Sequence, residues 1–131
     1  FNCTVTSIDV SESILKQERQ RIKRKGLYRY INLEKADATN LPHNEDTFDS
    51  IISYGALHHN PISKRERFID EIAKVAKCKL VVTDFKEQHH IHPEDVHPSV
   101  DHDWLKEKLE TYGKIKIYEG KEKILYVCEL S

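Results

Sequence analysis

Asp37-Ala-Thr-Asn-Leu-Pro42, followed by Asp46-Thr-Phe-Asp49 and Ser50-Ile-Ile-Ser-Tyr-Gly-Ala-Leu-His-His59, decides how this chain is read. The first piece sets an acid just beyond one strand. The last is a second strand that runs into a small-residue turn carrying two histidines. Phe48 to Tyr54 contains the pair Ile51-Ile52, which predicts a strand buried on both faces. Ligands of open α/β sheets lie outside the carboxyl ends of parallel strands, so the two strand ends point toward one crevice.

Outward from this stretch, strands and helices alternate. Thr4-Val-Thr-Ser-Ile-Asp9 is β-branched and ends in an acid, a short strand. Ser11 can cap the helix that follows, with Glu12 near its positive end and Gly26 at its stop. Leu27 to Lys35 alternates imperfectly into Asp37 as a second strand. Beyond Tyr54, Ser63-Lys-Arg-Glu66 reads as a capping box, with Phe68, Ile69, Ile72, Val75 and Ala76 as the apolar stripe of its helix. Lys79 to Asp84 is a buried strand, again ending in an acid. Asp103 to Tyr112 predicts a short amphipathic helix. Lys114 to Tyr118 and Lys123 to Leu130, around Gly120, predict an antiparallel hairpin. The order β-α-β-β-α-β-α-β-β implies an α/β domain with a mostly parallel, Rossmann-like sheet and an antiparallel edge.

Composition narrows the function classes. With 131 residues the chain is read as a single domain, and 33% charged against 38% hydrophobic residues describes a soluble globular protein. The net charge of -1 argues against nucleic acid as partner. The basic cluster Lys16 to Lys25 reads as a solvated helix face before a phosphate patch. No apolar run nears the ~18 residues of a membrane span. Cys3, Cys78 and Cys128 are far apart and odd in number, which predicts reduced, buried thiols in a cytoplasmic protein.

Three acids, Asp9, Asp37 and Asp84, end predicted parallel strands. One such acid is ordinarily a turn or cap; three in one small domain point to a ligand. A strand-end acid can accept hydrogen bonds from ribose hydroxyls, and the next can accept from an exocyclic amine, which together suit an adenosine ligand. Ser7-Ile-Asp-Val-Ser-Glu-Ser-Ile-Leu15, then Ala36-Asp-Ala-Thr-Asn-Leu-Pro42, then Phe48 to His59 resemble the class I S-adenosylmethionine-dependent methyltransferases. The likeness is closest to their small-molecule, ubiquinone-biosynthesis-like branch, and it spans nearly the whole chain.

The resemblance implies methyl transfer from S-adenosylmethionine to a small-molecule acceptor. It implies that Asp9 binds the ribose hydroxyls, Val10 lines the adenine pocket and Asp37 holds the adenine amino group beside the Ala38 backbone. Ser53, Tyr54 and Gly55 would lie near the methionine part of the cofactor, with His58 and His59 on the substrate side as candidate bases. A histidine bonded to a backbone carbonyl in a helical turn is the bland alternative for His59.

The chain departs from that family in one large respect. The family's glycine-rich loop follows a strand that precedes the one ending in Asp9, and here the glycines stand only at 26, 55, 113 and 120. A central strand, its loop and the next helix are therefore expected to be cut away, unseen or supplied by a partner chain. Weak or no cofactor binding is expected without them. Lys77-Cys-Lys79 also replaces a glycine pair expected in a turn. Alternative functions are a non-catalytic, methyltransferase-like subunit that docks on a partner, a nicotinamide-dinucleotide enzyme, and a metal-dependent activity. The last would centre on His89, His90, His92, His97 and His102 with Glu94, Asp95, Asp101 and Asp103. Imidazole and carboxylate suit zinc, iron or manganese. Their spacing matches no metal signature, so no metal is assigned and the segment reads first as a lid or substrate-recognition loop.

Overall fold

The structure, a computed structural model, describes residues 3–86 and 97–131. It divides into two compact units, Phe1–Pro42 and His43–Ser131.

In the first unit, β1 (Val5–Asp9) and β2 (Ile31–Lys35) pair in parallel, from Val5 opposite Ile31 to Asp9 opposite Lys35. The connecting helix α1 (Glu12–Arg24) begins as the sequence implies: the Ser11 hydroxyl accepts the Ile14 amide at 3.3 Å. Only Leu15 and Ile22 of this helix are buried, because the basic residues of its second half belong in water. The helix ends in a Schellman arrangement, with Gly26 at φ +67° and the Leu27 amide donating to the Ile22 carbonyl at 3.0 Å. That bond, and the turn closed by the Tyr30 amide on Leu27 O, occupy residues 27–30. The second strand is therefore shorter than the predicted Leu27 to Lys35.

The second unit holds β3 (Phe48–Tyr54), a 3-10 turn (Leu57–His59), α2 (Ile62–Val75), β4 (Ala76–Phe85), α3 (His102–Glu110), β5 (Gly113–Glu119) and β6 (Lys123–Leu130). Its sheet runs β3-β4-β6-β5, with β3 parallel to β4 and the other two pairings antiparallel. The α/β class, the element order and the closing hairpin are those expected. Among the described residues β1 pairs with β2 alone and β3 with β4 alone, so each keeps one unpaired edge.

The apolar stripe of α2 buries Phe68, Ile69, Ile72 and Val75, α3 adds Leu105 and Leu109, and the sheet adds Leu80, Val82, Tyr126 and Cys128. Each fully buried aliphatic side chain contributes about 1.5–3 kcal/mol, so this cluster gives the second unit its core.

Four local expectations are corrected. Ile52 is 72% exposed, so β3 is not buried on both faces. The capping box at Ser63 does not form: Pro61, with φ -60° and ψ 150°, occupies the N-cap, and α2 starts at Ile62 without a side-chain cap. The proline ring fixes the extended entry and leaves Ser63 inside the first turn. Lys77-Cys-Lys79 is not a turn, because β4 begins at Ala76 directly after α2. Cys3 and Cys78 are exposed, and of the three thiols only Cys128 is buried.

Candidate active site

In the first unit, Asp9 and Asp37 lie at the same carboxyl end of the parallel pair, joined by the Ala36 amide donating to Asp9 O at 3.2 Å. Asp9 Oδ1 accepts the Ser11 amide at 2.9 Å. Asp37 Oδ1 accepts both the amide and the hydroxyl of Thr39, at 2.8 and 2.7 Å. Both acids thus close the turn behind their strand through one oxygen, which is the ordinary use of such a residue. The same bonds hold each carboxylate in a fixed direction. Val10 is exposed beside Asp9, and Ala38 sits half-buried between Asp37 and the buried Thr39.

In the second unit the carboxyl ends of β3 and β4 carry the remaining candidates. Gly55 takes φ +61°, in the left-handed region that favours glycine, and its amide donates to Thr83 O at 2.9 Å. This bend carries the chain off β3 into the 3-10 turn and brings His58 back over the end of β4. There Asp84, 1% exposed, accepts the His58 amide through Oδ2 at 3.1 Å, and its Oδ1 lies 2.8 Å from His58 Nδ1. The carboxylate can only accept, so Nδ1 carries a proton toward Asp84. His59 is exposed, its ring centroid 4.1 Å from that of His58.

Arg65 closes this arrangement from the other side. This residue is 4% exposed, and its guanidinium donates to the carbonyls of Asn60, His58, Ser99 and Pro98. Burial lowers its pKa from the ordinary arginine value, and the charge of Asp84 pulls in the opposite direction. His58 is therefore held at its ring, its amide and its carbonyl.

Ser53 is 6% exposed, and its hydroxyl has no hydrogen-bond partner among the described residues. Next to it Tyr54 is 65% exposed. Lys123, the first residue of β6, lies opposite Phe85 in the β4–β6 register and donates to the Tyr54 hydroxyl. Its ammonium sits 4.6 Å from the Tyr54 ring centroid and 5.1 Å from that of Phe85, while the His58 ring meets Phe85 edge-on at 5.8 Å. Ser53, Tyr54, Gly55, His58 and His59 thus lie in the second unit, and Asp9, Val10, Asp37 and Ala38 lie in the first.

Sequence reading missed three participants. Asp84 was expected at a strand end, but its partner stands 26 positions away and nothing local announces it. Arg65 does leave a signal, since it occupies an apolar-face position of α2 one turn before Phe68 and Ile69. Lys123 leaves none, because its role depends on strand register. His89, His90, His92, Glu94 and Asp95 lie outside the described residues. Among the described residues no cluster of ligating side chains could hold a metal ion. His102 is instead structural, between the Tyr126 hydroxyl at 2.9 Å and the Phe85 carbonyl at 2.7 Å.

Comparison with known proteins agrees with this architecture. The profile of the methyltransferase domain family matches residues 1–79. Methyltransferase GfsG of Streptomyces halstedii is 32% identical over 74 residues, which are 56% of this chain and 26% of that protein. The crystal structure of the PH0226 protein from Pyrococcus horikoshii OT3 superposes on 98% of this chain and 72% of its own with a TM-score of 0.81 at 15% identity. A SAM-dependent methyltransferase from Aquifex aeolicus superposes on 98% of this chain and 69% of its own, with a TM-score of 0.72 at 22% identity. The matched stretch spans less than a third of the length of the relatives found by sequence. No described helix is long and apolar enough to cross a membrane. With a family match over more than half its length, the chain belongs to the methyltransferase domain family, the class I S-adenosylmethionine-dependent methyltransferases.

Proposed function

We propose that this protein transfers a methyl group from S-adenosylmethionine to a small-molecule acceptor, with His58 as general base. The observation that carries this reading is the His58–Asp84 pair at the carboxyl end of β3 and β4. A strand-end acid fixing one histidine tautomer is an arrangement suited to taking a proton. The unpartnered Ser53 hydroxyl supports the donor site, because a buried polar group without a partner costs about 1–3 kcal/mol and a ligand or water can supply one.

When bound, the donor would supply an electrophilic methyl on sulfur for in-line transfer, leaving as the thioether. Asp9 and Val10 would hold the ribose and adenine side, Asp37 and Ala38 the adenine edge, and Ser53, Tyr54 and Gly55 the methionine side. Alignment of the reactants supplies much of the acceleration in such transfers. His58 accepts the acceptor's proton at Nε2, and Asp84 stabilises the imidazolium that results. His59, its ring tilted 36° against that of His58, would contact the acceptor. Incubation of the protein with methyl-labelled S-adenosylmethionine and a panel of hydroxyl and amine acceptors tests this. Label in an acceptor that falls at least about tenfold in His58→Ala, a loss of ~1.4 kcal/mol of barrier lowering, supports the reading. Transfer unchanged in that variant removes His58 from the chemistry.

A second reading rests on the open edges of β1 and β3. Ile52 on β3 is 72% exposed and Val5 on β1 is 46% exposed, apolar surface beside unpaired strand edges. A partner chain adding a strand there would make the chain a docking subunit that keeps the fold. Light scattering distinguishes the two readings, since a well-behaved monomer speaks against such a partner.

A further inference from the structure

We infer that Lys123 and Tyr54 form an oxyanion-binding site, so that the acceptor is an acidic small molecule bearing a carboxylate or phosphate. The inference rests on the methyl-transfer reading only in calling the ligand an acceptor; the anion site stands on its own geometry.

Lys123 combines partial burial with the lack of a carboxylate partner, whereas Lys64, Lys77, Lys114, Lys116 and Lys121, which also face none among the described residues, are exposed. Lys74, Lys79, Lys86, Lys106 and Lys108 each face a carboxylate within 4.0 Å. Among the described residues Lys123 faces none; the residue is half-buried, and its ammonium sits against two aromatic rings and donates to an uncharged hydroxyl. Ring faces attract a cation but do not neutralise it. Because the Tyr54 oxygen accepts from Lys123, its own proton is left to donate, and no acceptor for it lies among the described residues. The pair therefore presents an N–H and an O–H donor and one full positive charge, with no carboxylate among the described residues to receive them. Charge-assisted bonds to a carboxylate or phosphate would satisfy both groups at once.

Register explains why these groups meet at the candidate active site. β3 and β4 are parallel and end together, and antiparallel β6 starts where β4 ends, with Lys123 opposite Phe85. The Phe85 ring centroid lies 5.1 Å from the Lys123 ammonium and 5.8 Å from the His58 ring centroid. An anion on Lys123 would thus leave the rest of a small acceptor lying across Phe85 toward His58.

The test uses benzoate, phenyl phosphate and the neutral isostere benzamide, titrated into the protein without methyl donor and followed by amide NMR. Saturable shifts at Gly55, Phe85 and Lys123 with either anion, weakening as salt rises and absent with benzamide, are expected. The relative affinities of benzoate and phenyl phosphate identify which oxyanion fits. Lys123→Gln should weaken the anion by about tenfold or more, and Lys123→Arg should retain it within about threefold. Benzamide binding as well as benzoate, or a preference surviving in Lys123→Gln, would overturn the site. Melting temperatures of the variants exclude a folding defect. Calorimetry with S-adenosylmethionine, run separately, reports on the methyl-transfer reading, so loss of donor binding and loss of anion preference are told apart.

Discussion

Asp84 holds His58 twice across 26 residues, accepting the backbone amide at 3.1 Å with one carboxylate oxygen and meeting Nδ1 at 2.8 Å with the other. Both groups are buried, so neither bond is replaced by water when the other partner is changed. The 3-10 turn and the histidine tautomer consequently depend on one side chain at the end of β4.

Asp84→Asn separates these two dependencies. The amide oxygen of asparagine can accept only one of the two bonds with full effect, and its NH2 group faces a donor. A stability loss of about 2 kcal/mol is expected in urea unfolding, together with slower methyl transfer at unchanged donor affinity. An Asp84→Asn protein with wild-type stability and rate would mean that the pair neither holds the turn nor orients the base.

Arg65 offers a complementary probe, because it acts on carbonyls and never on the histidine ring. Four carbonyl oxygens converge on its planar fork, and a lysine can donate at most three bonds from a single point. Arg65→Lys should destabilise the protein by about 1–3 kcal/mol, since buried carbonyls lose their donors. Amide exchange at residues 57–60 and 99–101 should accelerate selectively, while exchange in β5 stays unchanged. Uniform acceleration across the sheet would contradict a local role.

Two phenols should titrate late. Burial is the largest cause for both: Tyr112 is pushed up to about 12 with help from its bond to Asp70, and Tyr126 to about 12 with help from Asp103 and Glu119. Absorbance titration should show two of the six tyrosines ionising near pH 12, and Tyr112→Phe and Tyr126→Phe should each remove one equivalent. The sign for stability follows from the raised values. From pH 10 to about 12 the folded chain keeps protons that the unfolded chain has lost, so these groups lower stability as pH rises through that window. On the acid side, Asp70 is opposed by burial, but its bonds from Lys108 and Tyr112 leave its pKa lowered. Its contribution is present above the ordinary aspartate range and is lost as pH falls through the depressed value.

What the sequence disclosed and what it withheld divide along contact order. Strand-end acids, the Ser11 cap, the Gly26 stop and the α2 stripe are local patterns, and each marks its element within a few residues. The Phe48–His59 stretch was legible for the same reason, since its strand, glycine bend and histidine turn are consecutive. The Ser63 capping box failed because a proline two positions earlier fixed the helix start first. Asp84 on His58, Arg65 on the carbonyls of residues 98 and 99, and Lys123 on Tyr54 pair residues 26 to 69 positions apart. No periodicity encodes such pairings; they arise from which strands end together, and strand order is a property of the folded sheet.

Ser53 gives a prediction in which stability and binding move in opposite directions. Its hydroxyl is buried and without a partner among the described residues, so in the ligand-free protein it is a cost. Ser53→Ala removes that group with almost no change of volume, and stability should hold or rise by up to ~1 kcal/mol. If the hydroxyl is kept for the methionine side of the donor, the same change should weaken S-adenosylmethionine by about fivefold, close to 1 kcal/mol. Calorimetry and thermal unfolding on one pair of samples read both signs. A purely structural serine gives a different pattern: stability falls with the substitution and donor affinity does not change. A serine that merely fills space leaves both untouched, and either result would detach Ser53 from the donor site.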